Sequence, residues 1–261
     1  MRGIQKWVAN VLFDKSSYEN HELAMTYSEK RIFKKLQKKG FKAAHAAEVG
    51  VWHPETSNIY DYIKLGVRCT LVEPDPQSIE RIRTHFSKQK NITLYPVALY
   101  DFSGKIELSQ RAASTFVSVL TASPALINDG YQVNADDLFE AEVTTFDKID
   151  DGTIDLLSID IEGSEWFVIK HMLSRPAVIS LETHGAIYVN PHLNQIQEWM
   201  KRNGYALWYK DNSDTIFVKP DKIKIDWKDK TNLLFTTIHL AIRRTRKQLK
   251  RFLKEVFLKP R

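Results

Sequence analysis

Short apolar runs alternate along this chain with segments whose apolar residues recur every three or four positions. The runs have the length and composition of buried strands, whereas the three-to-four spacing is typical of amphipathic helices. Strands are predicted at 43–49, 68–72, 92–97, 154–159 and 177–182. Helices are predicted at 56–65, 75–87, 166–172 and 193–202. Strands separated by helices predict a mostly parallel sheet with helices on both faces.

Other segments complete this outline. Strands at 205–210 and 215–219 enclose the turn-forming residues 211–214, which predicts a terminal antiparallel hairpin. Accessory strands are predicted at 104–108 and 142–145. Residues 109–141 lack clear periodicity and are long for a connection, so they are interpreted as a substrate-facing insert.

Helices flank the predicted sheet at both ends of the chain. One is predicted at 4–13 and a second at 28–39, with Ser28 as its N-cap and Gly40 at its end. A long helix is predicted at 231–258. We therefore expect N-terminal helices in residues 1–40, an α/β domain in 41–220 and a C-terminal helix in 221–261.

Charge is unevenly distributed. Residues 231–261 contain nine Lys/Arg and one Glu, so this segment carries +8 although the whole chain carries only +6. The remainder is close to neutral, which argues against a nucleic-acid groove across it and for an anionic partner at the C-terminal segment. The single cysteine, Cys69, excludes an internal disulfide. We also expect a cytoplasmic location, because no membrane-spanning run or signal-peptide pattern is apparent.

Carboxylates follow three of the predicted parallel strands. Asp160 and Glu162 come after 154–159, Glu48 lies at the end of 43–49, and Glu73 follows 68–72. Open α/β sheets bind ligands at the carboxyl ends of their strands. These positions therefore predict a site for a nucleoside-type cofactor.

The first strand–helix turn indicates which cofactor this is. A dinucleotide needs a glycine-rich turn around its pyrophosphate, but this turn has only Gly50, with Trp52 and Pro54 nearby. S-adenosylmethionine has no phosphate and carries cationic groups that suit an acidic turn. Glu73 would accept from the ribose hydroxyls, and Pro74 would lie against the adenine. The alternative is that these residues have ordinary structural roles, in ion pairs, turns or helix approaches.

Four blocks of sequence resemble the FkbM family of methyltransferases in order and spacing over residues 43–219. They are residues 97–104, 143–147, 155–165 and 178–184, of which the Ile-Asp-Ile-Glu-Gly run at 159–163 is the most specific. The resemblance implies the class I methyltransferase fold, with a mostly parallel seven-stranded sheet, and S-adenosylmethionine as cofactor. It also implies that Glu48, Gly50, Glu73 and Ala98 line the cofactor pocket, with Ala98 beside the adenine. The chain departs from the family at 51–53, where Val-Trp-His replaces small residues.

Methyl transfer to a hydroxyl needs alignment and a base that removes the proton. We expect His184 to be this base and Asp160 or Glu162 to orient it or the acceptor, because the ends of adjacent strands face one another. The alternative for His184 is that it caps the following loop and packs beside Tyr188. Alternatively, a divalent metal held by these carboxylates and the histidine would activate the hydroxyl by binding it directly.

The predicted helix at 231–258 combines an apolar stripe with a basic face. Such a helix commonly lies on an anionic membrane, but it also fits packing on its own domain, a homodimer or RNA. The expected function is O-methylation of a sugar hydroxyl in a cell-surface glycan or lipid-linked saccharide, by an enzyme peripheral to the inner face of the membrane. A non-catalytic docking module and an RNA-directed methyltransferase are the alternatives.

Overall fold

The computed structural model describes residues 29–111, 114–118, 123–129 and 131–258. The predicted helix at 4–13 and the predicted N-cap Ser28 lie outside these residues. The helices are α1 Arg31–Lys38, α2 Tyr60–Lys64, α3 Pro76–His85, α4 Pro124–Asp129, α5 Glu165–Lys170, α6 Leu193–Arg202 and α7 Trp227–Leu258. The strands are β1 His45–Val49, β2 Arg68–Val72, β3 Ile92–Tyr95, β4 Ala98–Leu99, β5 Gly104–Arg111, β6 Ser114–Val117, β7 Leu138–Thr144, β8 Leu156–Ile159, β9 Val178–Glu182, β10 Ala206–Lys210 and β11 Asp214–Val218.

Within these residues, seven strands form the main sheet in the order β10-β11-β9-β8-β1-β2-β3. Strands β3, β2, β1, β8 and β9 run parallel to one another, and β11 pairs antiparallel with both β9 and β10. This confirms the predicted fold class, a mostly parallel sheet of seven strands that ends in an antiparallel hairpin. Its strand order is that of the class I methyltransferase fold implied by the resemblance.

The core lies on both faces of this sheet. Successive side chains of a strand point to opposite faces, so Ala46 and Leu156 join one buried cluster whereas Ala47 and Leu157 join the other. Helices α1, α2 and α3 cover the first face. Helices α5 and α6 cover the second. Because both faces are covered, the central strands are continuously apolar, which is the pattern that made them visible in the sequence.

A second sheet, of order β4-β7-β5-β6, was not predicted. The predicted strands at 104–108 and 142–145 belong to it, but both are longer than expected, and residues 109–141 contribute β6, α4 and most of β7. Ile106, Leu108, Val117 and Val143 form its small core. The pattern was weak because the sheet is short and one side of its strands is exposed, so few positions are apolar.

Smaller differences concern helix ends. The predicted helix at 56–65 is a short 3-10 turn, Pro54–Thr56, followed by α2. The C-terminal helix begins at Trp227, four residues before the predicted start. In the described part of the chain, none of the helices combines the length and apolarity that crossing a bilayer requires.

Candidate active site

An open cavity of about 340 Å³ lies at the carboxyl ends of β1, β2 and β8. The second sheet forms part of its wall. Most of the site residues predicted from the sequence line this cavity: Glu48, Gly50, Glu73, Pro74, Ala98, Asp160 and Glu162. The parallel strands therefore bring together residues that are up to 114 positions apart in the chain, as expected for the ligand edge of an open α/β sheet.

The turn after β1 requires glycine for a steric reason. Gly50 has φ +82°, and a Cβ atom added to it would lie 1.8 Å from the carbonyl oxygen of Asp160. The amide of Asp160 donates to the carbonyl of Val49 at 2.9 Å, which holds the two strand ends together. Gly50 therefore permits the close approach of β1 and β8 that fixes the position of Asp160 in the cavity.

Glu73 shapes the same turn through its side chain. Its Oε2 accepts from the backbone amides of Val51 at 2.9 Å and Trp52 at 2.8 Å, and its Oε1 accepts from Asp75 at 3.0 Å. Trp52 is held with φ +53°, in the left-handed region that few non-glycine residues adopt. A carboxylate offers about four acceptor positions, so Glu73 keeps acceptor capacity toward the cavity. Its contact with ribose hydroxyls stays a prediction.

Glu48 is buried at the end of β1. Its carboxylate accepts from the Ser57 hydroxyl and, at 2.7 Å, from the amide of Asn58. Burial raises the pKa of Glu48 to about 7. Glu48 therefore fixes the segment that follows the turn as well as bordering the cavity.

Four carboxylates lie close together at this edge of the sheet, and three of them, Asp160, Glu162 and Asp214, line the cavity. One oxygen each of Asp160, Glu162 and Glu182 lies within 4.8 Å of the others. Asp214 on β11 pairs in register with Glu182 on β9 and also lines the cavity. Asp160 lies deep in the fold, but its carboxylate is accessible from the open cavity.

The environment of these acids favours their protonated forms. Burial, and then the charge of Glu165, raise the pKa of Asp160. Burial, and then the charge of Asp160, raise the pKa of Glu182. Removing carboxylates from water and placing them side by side both oppose ionisation. This cluster is therefore suited to accept a proton or to face a cation.

Glu165 holds the turn that carries two of these acids. It is fully buried, and its Oε1 accepts from the backbone amides of Ile161 and Gly163, each at 3.1 Å. Its Oε2 accepts from the side chain of Asn190. Glu162 adopts φ +56° in this turn, so the brace stabilises a conformation that is unfavourable for an isolated residue.

His184 is not brought to the cavity. Its Nδ1 is 2.9 Å from the Thr183 hydroxyl, and its Nε2 is 3.0 Å from the carbonyl oxygen of Asp211. It pairs with Val189 in an isolated bridge and lines a separate pocket that includes Arg244 of α7. Burial lowers its pKa. Because β9 ends at Glu182, His184 does not stay on the same side as that acid, and the capping alternative describes its surroundings better.

Several residues that line the cavity were not predicted from the sequence. Asp214 was interpreted as part of a turn, and only its pairing with Glu182 puts it beside the other acids. The unpredicted second sheet contributes a wall that is largely apolar: Leu108, Thr115, Phe116 and Val117. The acidic residues of the hairpin were the one sequence signal that pointed to Asp214.

The arrangement fits S-adenosylmethionine better than a dinucleotide. In the turn after β1, Gly50 allows two strand ends to lie close together. This turn has no glycine-rich segment that could bind a pyrophosphate. The acidic side of the cavity suits the positive sulfonium and ammonium groups of this cofactor. All the residues predicted to border this cofactor line the cavity: Glu48, Gly50, Glu73, Pro74, Ala98 and Asp160.

One comparison with known proteins identifies a family for this chain. The sequence model of the methyltransferase FkbM domain matches residues 44–207. No curated protein matches the chain. Among solved structures, a ribosomal protein L11 methylase from Lactobacillus delbrueckii subsp. bulgaricus has 11% identity and a TM-score of 0.40, covering 72% of this chain and 75% of that one. A precorrin-6y C5,15-methyltransferase from Geobacter metallireducens GS-15 has 17% identity and a TM-score of 0.35, covering 74% and 90%. These likenesses are too distant to indicate a substrate.

Proposed function

The chain belongs to the FkbM methyltransferase family and is an S-adenosylmethionine-dependent methyltransferase, and from that premise we propose that it methylates a hydroxyl of a sugar in a cell-surface glycan or lipid-linked saccharide. The observation that carries this proposal is the cluster of Asp160, Glu162 and Glu182, of which Asp160 and Glu162 line the cavity. An alcohol must lose its proton when its oxygen is methylated, and a cluster of carboxylates can accept that proton.

The chemistry assigns a separate role to each side of the cavity. Bound S-adenosylmethionine supplies a methyl group on a positively charged sulfur, which accepts the electron pair of the breaking S–C bond. Asp160 or Glu182 would hold the acceptor hydroxyl by a hydrogen bond and take its proton as the new O–C bond forms. The turn at Gly50 would fix the cofactor relative to Asp160, because alignment is the main requirement of an in-line displacement.

A sugar acceptor is supported by the polarity of the site. The acids offer several hydrogen-bond acceptors to a polyol, whereas Phe116 and Val117 of the second sheet offer an apolar wall. A nucleic-acid acceptor is less well supported, since the cavity is acidic and the basic residues concentrate in the C-terminal helix.

The proposal is tested with the full-length protein. Calorimetric titration with S-adenosylmethionine, and with NAD as control, measures cofactor binding. Transfer of labelled methyl from the cofactor to a panel of mono- and oligosaccharides, followed by hydrolysis and mass spectrometry, identifies the linkage. Methyl ethers at sugar hydroxyls are expected; methylation confined to RNA or to amino groups would overturn the proposal.

Variants separate the candidate bases. We expect Asp160→Asn and Glu182→Gln each to lower kcat by roughly 10²-fold or more, a larger effect than on cofactor affinity, because general-base removal affects the chemical step. His184→Gln serves as the matched control and should keep kcat within about threefold. The opposite pattern would return the role of base to His184.

A divalent cation is a second candidate for activating the hydroxyl. Asp160, Glu162 and Glu182 offer the oxygen ligands that Mg²⁺ prefers, close enough together to share an ion. Activity that is lost after chelation and restored by Mg²⁺ would favour this route, and activity unaffected by chelation would favour direct proton transfer to a carboxylate.

A further inference from the structure

Helix α7 presents an apolar face that the described residues do not cover. Its inner side, including Leu233, Leu240 and Arg244, is partly buried against the domain. On another side, five large apolar residues are between 46% and 65% exposed. We call this set the apolar stripe: Phe235, Ile238, Ile242, Leu249 and Phe252. At 3.6 residues and 5.4 Å per turn, it extends over about 26 Å on one side of the helix.

Basic residues border the apolar stripe. The sequence from 243 to 254 contains seven Lys/Arg and no Asp or Glu. With 100° per residue, Arg246, Lys250 and Arg243 follow one edge of the stripe, between it and the packed side. The exposed surface of the second half of α7 is therefore apolar and strongly positive at once.

The contacts of α7 fix where this surface lies. Near the start of the helix, Asp229 accepts from Lys39 at 2.6 Å; Lys39 precedes β1, so this end lies at the amino edge of the sheet. Farther along, Arg244 donates to the carbonyl of Tyr188 at 3.5 Å, and Arg251 donates to that of Ile127 at 3.3 Å. Tyr188 follows the carboxyl end of β9. The basic half of α7 thus lies on the side of the sheet that carries the cavity.

We propose that the apolar stripe and its basic border dock on the surface of an anionic lipid bilayer. Apolar side chains would enter the headgroup region while the bordering Lys/Arg contact lipid phosphates, the arrangement of interfacial amphipathic helices. The spacing of the stripe would also match a second copy of the helix, but charge decides against it. Two copies would bring two basic borders together, and residues 243–254 supply no acid to oppose them.

Docking in this way would hold the cavity side of the sheet next to the headgroups. For a lipid-linked saccharide, whose sugar stands at that level, this proximity would raise the local acceptor concentration. That consequence rests on the proposed function, whereas the docking itself does not.

Vesicle co-sedimentation of the full-length protein tests the proposal. The probes are vesicles of phosphatidylglycerol mixed with phosphatidylcholine, and vesicles of phosphatidylcholine alone, each at low and high salt. The stripe variant is I242Q/L249Q/F252Q, and the border variant is R246Q/K250Q. The matched control is L65Q/V133Q/L173Q, which replaces three apolar residues of comparable exposure, between 41% and 64%, elsewhere on the surface.

We expect wild type and control to sediment with anionic vesicles, and less so at high salt because exposed charges are screened. The stripe variant should lose at least about tenfold in partitioning. The border variant should lose a similar factor, since each basic residue near an anionic surface contributes roughly fivefold. Melting curves and calorimetry with S-adenosylmethionine should be unchanged in all variants, which separates failure of docking from failure of the proposed function.

Four results would overturn the proposal. One is wild-type protein that stays in solution with anionic vesicles. Another is a stripe variant that sediments like wild type. The third is a dimer, detected by sedimentation velocity, that the stripe substitutions dissociate while vesicle binding is absent. The fourth is RNA binding in place of vesicle binding.

Discussion

Replacing Gly50 by alanine should separate two effects of a side chain at the turn after β1. The first is backbone strain, because an L-residue at φ +82° costs about 1–2 kcal/mol relative to glycine. The second is a collision, because the new Cβ would lie 1.8 Å from the carbonyl oxygen of Asp160. To reach ordinary contact distance, that oxygen would have to move by about 1.5 Å.

The movement has a structural and a functional cost. It would break or stretch the 2.9 Å hydrogen bond from Asp160 to Val49, which contributes on the order of 1–3 kcal/mol when its groups are left without partners. With the strain, we expect a loss of about 2–5 kcal/mol and a melting temperature lower by roughly 10 °C for a chain of this size. Displacing Asp160 by more than 1 Å should also lower kcat by about 10²-fold.

Gly66→Ala is the matched control. Gly66 has φ +77°, but nothing lies within 4 Å of its added Cβ, so this variant reports strain alone. Differential scanning calorimetry and titration with S-adenosylmethionine measure both variants. We expect Gly66→Ala to lose about 1–2 kcal/mol and to keep cofactor affinity. If Gly50→Ala matches Gly66→Ala in stability and turnover, the contact between the strand ends does not fix the site.

Three further predictions concern buried carboxylates around the cavity. The pKa of Glu48 is raised to about 7 in the folded state, so its protonation stabilises the fold at low pH, and this contribution should be lost as pH rises from about 4.5 to 7, by up to about 3 kcal/mol. Asp160, Glu165 and Glu182, whose pKa values burial also raises, add to the same decline, so Glu48→Gln should reduce the decline by the contribution of Glu48 in urea unfolding at a series of pH values; an unchanged profile would assign the whole decline to the other groups. Glu73→Gln keeps one oxygen for the amides of Val51 and Trp52, which share Oε2, but sets an NH2 group against the amide of Asp75. It should weaken S-adenosylmethionine binding by at least about tenfold, whereas the exposed control Glu80→Gln should not; equal affinities would remove Glu73 from the site. Glu165→Gln sets two amide donors face to face at Asn190 and should lower the free energy of unfolding by about 1–3 kcal/mol. The double variant Glu165→Gln/Asn190→Asp should regain most of this stability; if it does not, the loss arises elsewhere.

The elements that the sequence predicts well are those determined by local interactions. Helix α3 was predicted closely because its start signal is contained in a few residues: Asp75 is the N-cap and accepts from the Ser78 amide, and Pro76 occupies the first turn. The buried strands were predicted because both faces of the sheet are covered, so their runs are apolar throughout. The acids at the strand ends followed from position alone, since parallel strands end at a common edge.

The site required more than these local patterns. Glu182 and His184 are two residues apart, a spacing that places side chains on the same side only while a strand continues. The chain leaves the sheet after Glu182, and His184 turns toward Thr183 and Asp211. The predicted and the observed strand both end at Glu182, so the direction of the chain after that end, which no local signal marks, is what takes His184 away from the cavity.

The sequence by itself determined the sheet, the acidic edge and the single-glycine turn, because each depends on residues within about one element of each other. Only the tertiary structure decided that Asp214 pairs with Glu182 and that Glu165 holds the turn of Glu162 by hydrogen bonds. It also decided that a second sheet forms part of the cavity wall. These features depend on register between strands and on packing between segments distant in the chain. Pairing energy of that kind is spread over many weak contacts, so no single stretch of sequence encodes it.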